Sequence, residues 1–196
     1  MGTRDRIVAA AEQVIQELGL ARATTREIAR AAGCSEALLY KHFSRKEDLF
    51  LAVLLERVPA LVPAVTRLNE RVGKGAVREN LEEFAQAAVV FYRRSLPLSA
   101  GVVAEASLLD GFRRMLADVG GGPHIPINRL GAYLREEQRL GRVGPDADPD
   151  AAATLLMGAC FHRALLESLV DLGPDDTLVP GLVGGLMAGL APRSSA

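Results

Sequence analysis

Apolar residues recur along this chain at spacings of three and four, the period of a helix with one buried stripe. Residues 4–18 show it first. Ile7, Val8, Ala11, Val14, Ile15 and Leu18 share a face, and Gly19 stops the run. Residues 46–58 continue with Leu49, Phe50, Val53 and Leu54, and a short helix through Val62, Val65 and Leu68 follows two prolines, Pro59 and Pro63. Residues 76–96 carry the stripe through Val77, Leu81, Phe84, Ala88, Phe91 and Tyr92, with Pro97 as the expected end. Residues 99–119 repeat it through Val102, Val103, Ala106, Leu109, Phe112 and Leu116, and Gly120-Gly121-Gly122-Pro123 then breaks the chain. Helices are also expected over 125–140 and 177–190, and over 150–170 with Asp148 as cap and Pro149 as first residue. No strand alternation is evident, so the chain reads as all-α with about nine helices.

The last two helices differ from the others. Residues 150–170 are apolar on almost every side, and a helix apolar all round is buried all round. In a chain of 196 residues that predicts a partner subunit. Residues 177–190 place Leu178, Val179, Leu182, Val183, Leu186, Met187 and Leu190 on one seam, opposite four glycines. The candidate dimer interface is therefore Leu155, Leu156, Ala159, Leu166, Leu182, Val183, Leu186 and Met187. An intrachain core is the competing assignment for the same side chains.

Residues 24–46 pack more signals into less length. Thr24 and Thr25 can cap a helix whose apolar positions are Ile28, Ala29 and Ala32. Gly33 suits a sharp turn, and Ser35 caps a second helix through Phe43. Two short capped helices about a glycine turn form a helix-turn-helix. Net charge over the whole chain is −1, so it is no polycation. Between Arg22 and Lys46, however, six basic side chains stand against two acids, the footprint of a phosphate-contacting face.

The run from Thr24 to Phe50, above all Leu39-Tyr40-Lys41-His42-Phe43 followed by Lys46-Glu47-Asp48-Leu49, resembles the DNA-binding domain of TetR-family transcriptional regulators. The resemblance covers about the first 55 residues. It implies a helix-turn-helix domain over residues 1–46 and a ligand-binding and dimerisation domain over 47–196. Thr24 and Thr25 begin the first helix of the motif, where free N–H groups and hydroxyls receive a phosphate. Arg26, by similarity, reaches a base edge. Ser35 caps the recognition helix, on which Glu36, Ala37, Lys41 and half-core Leu38 are candidate base readers. Tyr40 and His42 look like the family's phosphate-contacting pair, and Lys46 is another phosphate ligand. Leu39 and Phe43 are expected in the core.

One recognition helix reads few base pairs, so the resemblance implies a homodimer on a palindromic double-stranded DNA operator. It also implies a small-molecule effector bound in the second domain, whose binding releases DNA. Candidate effector-pocket residues are Phe84, Phe91, Tyr92, Phe112, Met115, Tyr133, Phe161 and His162, with Arg113 and His124 as further polar groups. The helix over 46–58 is the expected mechanical link, with Pro59 as its hinge boundary. A constitutive regulator or an activator built on the same domain is the alternative.

Other chemistry finds no residues to carry it. G-x-S-x-G, H-E-x-x-H, Walker A and dinucleotide fingerprints are missing, so no enzyme and no cofactor are expected. Cys34 and Cys160, with His42, His124 and His162, fit neither a disulfide framework nor a metal pattern. No signal peptide and no membrane-length apolar run is read, so a cytoplasmic protein is expected.

Overall fold

Burial of the first apolar stripe organises the amino-terminal residues. In the computed structural model, which describes residues 2–20, 22–57, 61–120, 122–173 and 175–190, α1 (Thr3–Leu18) buries Ile7, Val8, Ala10, Ala11, Val14 and Ile15. Around it lie α2 (Thr25–Ala31), α3 (Glu36–His42) and α4 (Lys46–Arg57), each packed on α1. Leu49, Phe50 and Val53 of α4 are buried, and α4 also packs on α7 (Ala106–Val119). These elements, with the carboxy-terminal end of α6 (Val77–Ala104), form the first of two compact units.

The second unit holds α5 (Val62–Glu70), the earlier part of α6, α8 (His124–Arg139), α9 (Pro149–Leu169) and α10 (Leu178–Leu190). Leu68, Leu81, Phe84, Tyr133, Leu134, Leu156, Met157 and Val183 meet in its core. α8 runs along α9, α5 packs on α8, and α10 packs on α9. Asp148 caps α9 by accepting from the N–H groups of Asp150 and Ala151, both at 3.0 Å. Ten helices and no strand occur among the described residues.

One expectation gives way. Pro97 lies inside α6 rather than at its end, and the break between α6 and α7 falls at Glu105, whose backbone is extended. A proline deletes one hydrogen bond of its helix, here to the Arg93 carbonyl. Continuing the helix keeps Leu96, Leu98 and Val102 buried while Pro97 itself faces solvent, and that burial outweighs one lost bond. Compact units divide inside α6, between Arg93 and Arg94. Compactness groups α4 with α1 because their apolar faces meet. Pro59, read as a hinge boundary, lies outside the described residues.

A buried polar network holds the α5–α6 connection in the second unit. Glu137, fully buried, accepts from the Gly73 N–H at 3.0 Å through Oε1. Arg142 Nε stands 2.9 Å from Glu137 Oε2 as an ion pair, without the alignment of a hydrogen bond. Asn80 donates through Nδ2 to the Lys74 carbonyl and to the Tyr133 hydroxyl, both at 2.9 Å. Burial, the largest influence, pushes the Tyr133 phenol up to about 12.

Candidate nucleic-acid interface

Local capping builds both helices of the motif. Thr24 has extended backbone, and its hydroxyl accepts from the Glu27 N–H at 3.2 Å. Glu27 Oε2 accepts in return from the Thr24 N–H at 3.1 Å and its hydroxyl at 2.8 Å. This capping box satisfies two helix-end donors reciprocally. Thr24, through its hydroxyl first and its backbone N–H second, holds the Glu27 carboxyl below its ordinary range. Thr24 therefore serves the helix start directly.

The turn is closed by the backbone. Gly33 sits at φ +64°, its N–H bonding the Arg30 carbonyl at 3.2 Å, while the Cys34 N–H reaches the Ala29 carbonyl at 2.9 Å. That pair of bonds ends α2 as a Schellman motif, and only glycine enters it without strain. Ser35 then starts α3, its hydroxyl accepting from the Leu38 N–H at 3.1 Å.

The two sides of α3 separate cleanly. Leu39 is fully buried and Phe43, the residue that ends the helix, is 5% exposed. Leu38 is half-buried, while Glu36, Ala37, Tyr40, Lys41 and His42 are exposed, as is Ser35 ahead of them. Arg26 is exposed on α2, and Thr25 is half-buried. The Tyr40 hydroxyl donates to Thr25 Oγ1 across the turn at 3.4 Å, which brings two of the candidate phosphate ligands together. Half-buried Lys46 holds its ammonium 4.9 Å from the Phe50 ring centroid. The arrangement offers hydroxyls, cations and a two-turn helix face on one capped scaffold, the equipment for phosphate and base contact.

One constellation beside the motif was not read from the sequence. Arg4 forks onto Glu56 through Nη1 and Nη2, at 3.0 and 2.6 Å, and its guanidinium carbon lies 5.3 Å from the Phe43 ring centroid. No spacing rule links residues 52 apart, so only folding reveals the pair.

The candidate pocket residues are dispersed. Phe84 and Tyr133 are buried in the core of the second unit, whereas Phe112 and Met115 are half-buried on α7 in the first. Phe91, Tyr92 and Phe161 do come together, edge to face, with centroids at 5.2 and 5.4 Å. His162 beside them is exposed, as are Arg113 and His124. Burial pushes the Tyr92 phenol up to about 12. A small open cleft between α5 and α6 includes Phe84 but none of the other candidates.

The candidate dimer residues also divide. Leu156 and Val183 are enclosed by the core of their own chain, and Leu182, Leu186 and Met187 pack partly against it. Leu155 is 66% exposed and Ala159 and Leu166 are half-buried. α9 is not covered all round by its own chain. Ala152, Ala153, Leu156, Met157, Cys160 and Ala164 face the core while Leu155 and Leu169 face solvent. Among the described residues no three metal-ligating side chains cluster, and no helix is long and apolar enough to cross a membrane.

Comparison with known proteins places this geometry. Residues 7–53 match the family described as bacterial regulatory proteins, tetR family. The chain is 26% identical to the HTH-type transcriptional regulator UidR of Escherichia coli over 191 residues, 94% of this chain and 93% of that protein. Its fold is similar to that of Salmonella enterica GusR, with 26% identity, a TM-score of 0.70 and coverage of 96% and 95%. It is also similar to that of Bacillus subtilis FadR in complex with stearoyl-CoA, with 20% identity, a TM-score of 0.68 and coverage of 95% and 98%.

Proposed function

We propose that the chain, whose residues 7–53 match the tetR family of bacterial regulatory proteins, is a homodimeric repressor released from a palindromic operator by a small molecule. The observation that carries the DNA part is the exposed face of α3, with Glu36, Ala37, Lys41 and His42 outward and Leu39 and Phe43 inward. Arg26, Glu36, Ala37 and Lys41 read bases. Thr25, Tyr40, His42 and Lys46 hold phosphates, and Thr24 and Ser35 cap the two helices that carry these contacts. A second copy covers the exposed stripe of α9, Leu155, Ala159, Leu166 and Leu169, with Leu182, Leu186 and Met187 at its margin. The two recognition helices then meet half-sites about 34–36 Å apart.

The release arm rests on the second unit. Its aromatic edge, Phe91, Tyr92 and Phe161, supports an effector with a substantial apolar surface, and the similar fold of FadR holds stearoyl-CoA. The test starts from a library of randomised duplexes. The chain is expected to enrich an inverted repeat whose binding weakens steeply with salt. A thermal-shift screen of amphipathic small molecules then identifies stabilisers, at least one of which lowers affinity for the enriched duplex. Enrichment of no duplex overturns the DNA reading. Stabilisers that leave DNA affinity unchanged overturn ligand release alone.

A further inference from the structure

A two-turn helix cannot hold its own direction, because helices this short are marginal without tertiary support. α3 spans seven residues, about 10 Å of axis, so a tilt of 10° at one end moves the other by about 2 Å. Such a displacement breaks a hydrogen bond to a base edge. The amino-terminal end is set by the Ser35 cap and buried Leu39. At the other end, Phe43 leaves the helix in extended conformation, its N–H bonding the Leu39 carbonyl at 3.0 Å.

The ring of Phe43 lies beneath the Arg4 guanidinium, which is fixed by its fork onto Glu56. Three helices thus meet at one cation: α1 supplies it, α4 supplies the carboxylate and α3 ends in the ring. We propose that Arg4 is a positioning residue for DNA readout, clamped by Glu56 so that Phe43, and with it the carboxy-terminal end of the recognition helix, keeps one orientation. Both partners stand outside residues 7–53, the segment that matches the family. Their side chains are 46% and 39% exposed, and a surface pair of this kind adds little to stability. Its contribution is orientation.

The inference rests on the DNA-binding reading, and its test separates the two. A duplex selected by the wild-type protein from a randomised library serves as the specific probe, and an alternating inosine–cytosine polymer duplex as the non-specific one. Glu56→Gln removes a negative charge, so electrostatics alone raises affinity for both duplexes. Positioning predicts the opposite for the specific duplex, a loss of about 5- to 10-fold, with non-specific binding unchanged or stronger. Arg4→Lys keeps the charge and loses the fork, and lowers the same ratio. The double substitution loses no more than either single one.

Arg4 is instead a direct phosphate contact, and the proposal is overturned, if three results coincide. Glu56→Gln leaves the ratio unchanged, Arg4→Lys retains full specific affinity, and Arg4→Ala weakens both duplexes while lowering the salt slope by about one. Loss of helical signal in Arg4→Lys also overturns it, by making the fork a requirement for folding. If the wild-type protein selects no duplex, the DNA-binding reading itself fails.

Discussion

Gly101 and Gly111 are both helical glycines of the first unit, yet replacement by alanine is expected to act in opposite directions. A Cβ on Gly101 would run into the Leu20 side chain, overlapping Cδ2 and lying 2.8 Å from Cβ and 3.0 Å from Cγ. Leu20 is itself buried, so it has little room to turn away. A Cβ on Gly111 would meet Leu51 Cδ1 at 3.5 Å, ordinary van der Waals contact. Alanine is worth up to about 1 kcal/mol over glycine within a helix, and overpacking costs about 1–3 kcal/mol. Gly111→Ala therefore gains about 0.5–1 kcal/mol, while Gly101→Ala loses about 1 kcal/mol net. For a chain of this size each kcal/mol moves Tm by about 2–4 °C. Thermal melts followed by far-ultraviolet circular dichroism are expected to differ between the two variants by about 4–6 °C. A smaller side chain at Leu20 relieves the overlap, so Leu20→Ala is expected to cost less beside Ala at 101 than in the wild-type chain. Equal rises in Tm for the two variants would refute the reasoning, because Leu20 would then yield freely.

Thr24→Ala removes the capping box of α2 and is expected to lower stability by about 1 kcal/mol in urea unfolding, with Thr24→Ser near wild type. Arg142→Met leaves Glu137 buried opposite an apolar chain and is expected to cost about 3 kcal/mol; adding Glu137→Gln recovers much of it, whereas additive losses would show that the pair is not coupled. The Arg93 hydrogen bond, joined by that of Arg163, holds the Glu167 carboxyl near 2, against an ordinary 4.5. A depressed carboxyl stabilises the fold above its unfolded pKa and loses that contribution as pH falls toward its folded one. Glu167→Gln is thus expected to be less stable than wild type at neutral pH, with the gap closing between about pH 5 and pH 2 in acid titrations of unfolding.

Legibility followed the range of the interaction. The caps at Thr24, Ser35 and Asp148 and the glycine turn at Gly33 depend on neighbours within five residues, the inward pair Leu39 and Phe43 follows a spacing of four, and each stands in the structure where the spacing put it. Pro97 misled because a local rule met a non-local gain: burial of Leu96, Leu98 and Val102 outweighed the hydrogen bond it deletes. Glu137 gave no sign of becoming a buried carboxylate, since an acidic residue late in a helix reads as solvated until Gly73 and Arg142 are brought to it.

The sequence by itself determined most of the helices, the helix-turn-helix motif and which of its side chains face outward, because helix period, capping and turn chemistry are written in residues a few positions apart. Tertiary structure alone decided that the second half of α6 joins the amino-terminal unit and that α9 spends one face inside its own chain and leaves Leu155 and Leu169 bare. It also placed a cation from α1 over the end of the recognition helix. Those choices set apolar area and charge from distant segments against each other, and their energies exist only once the segments meet.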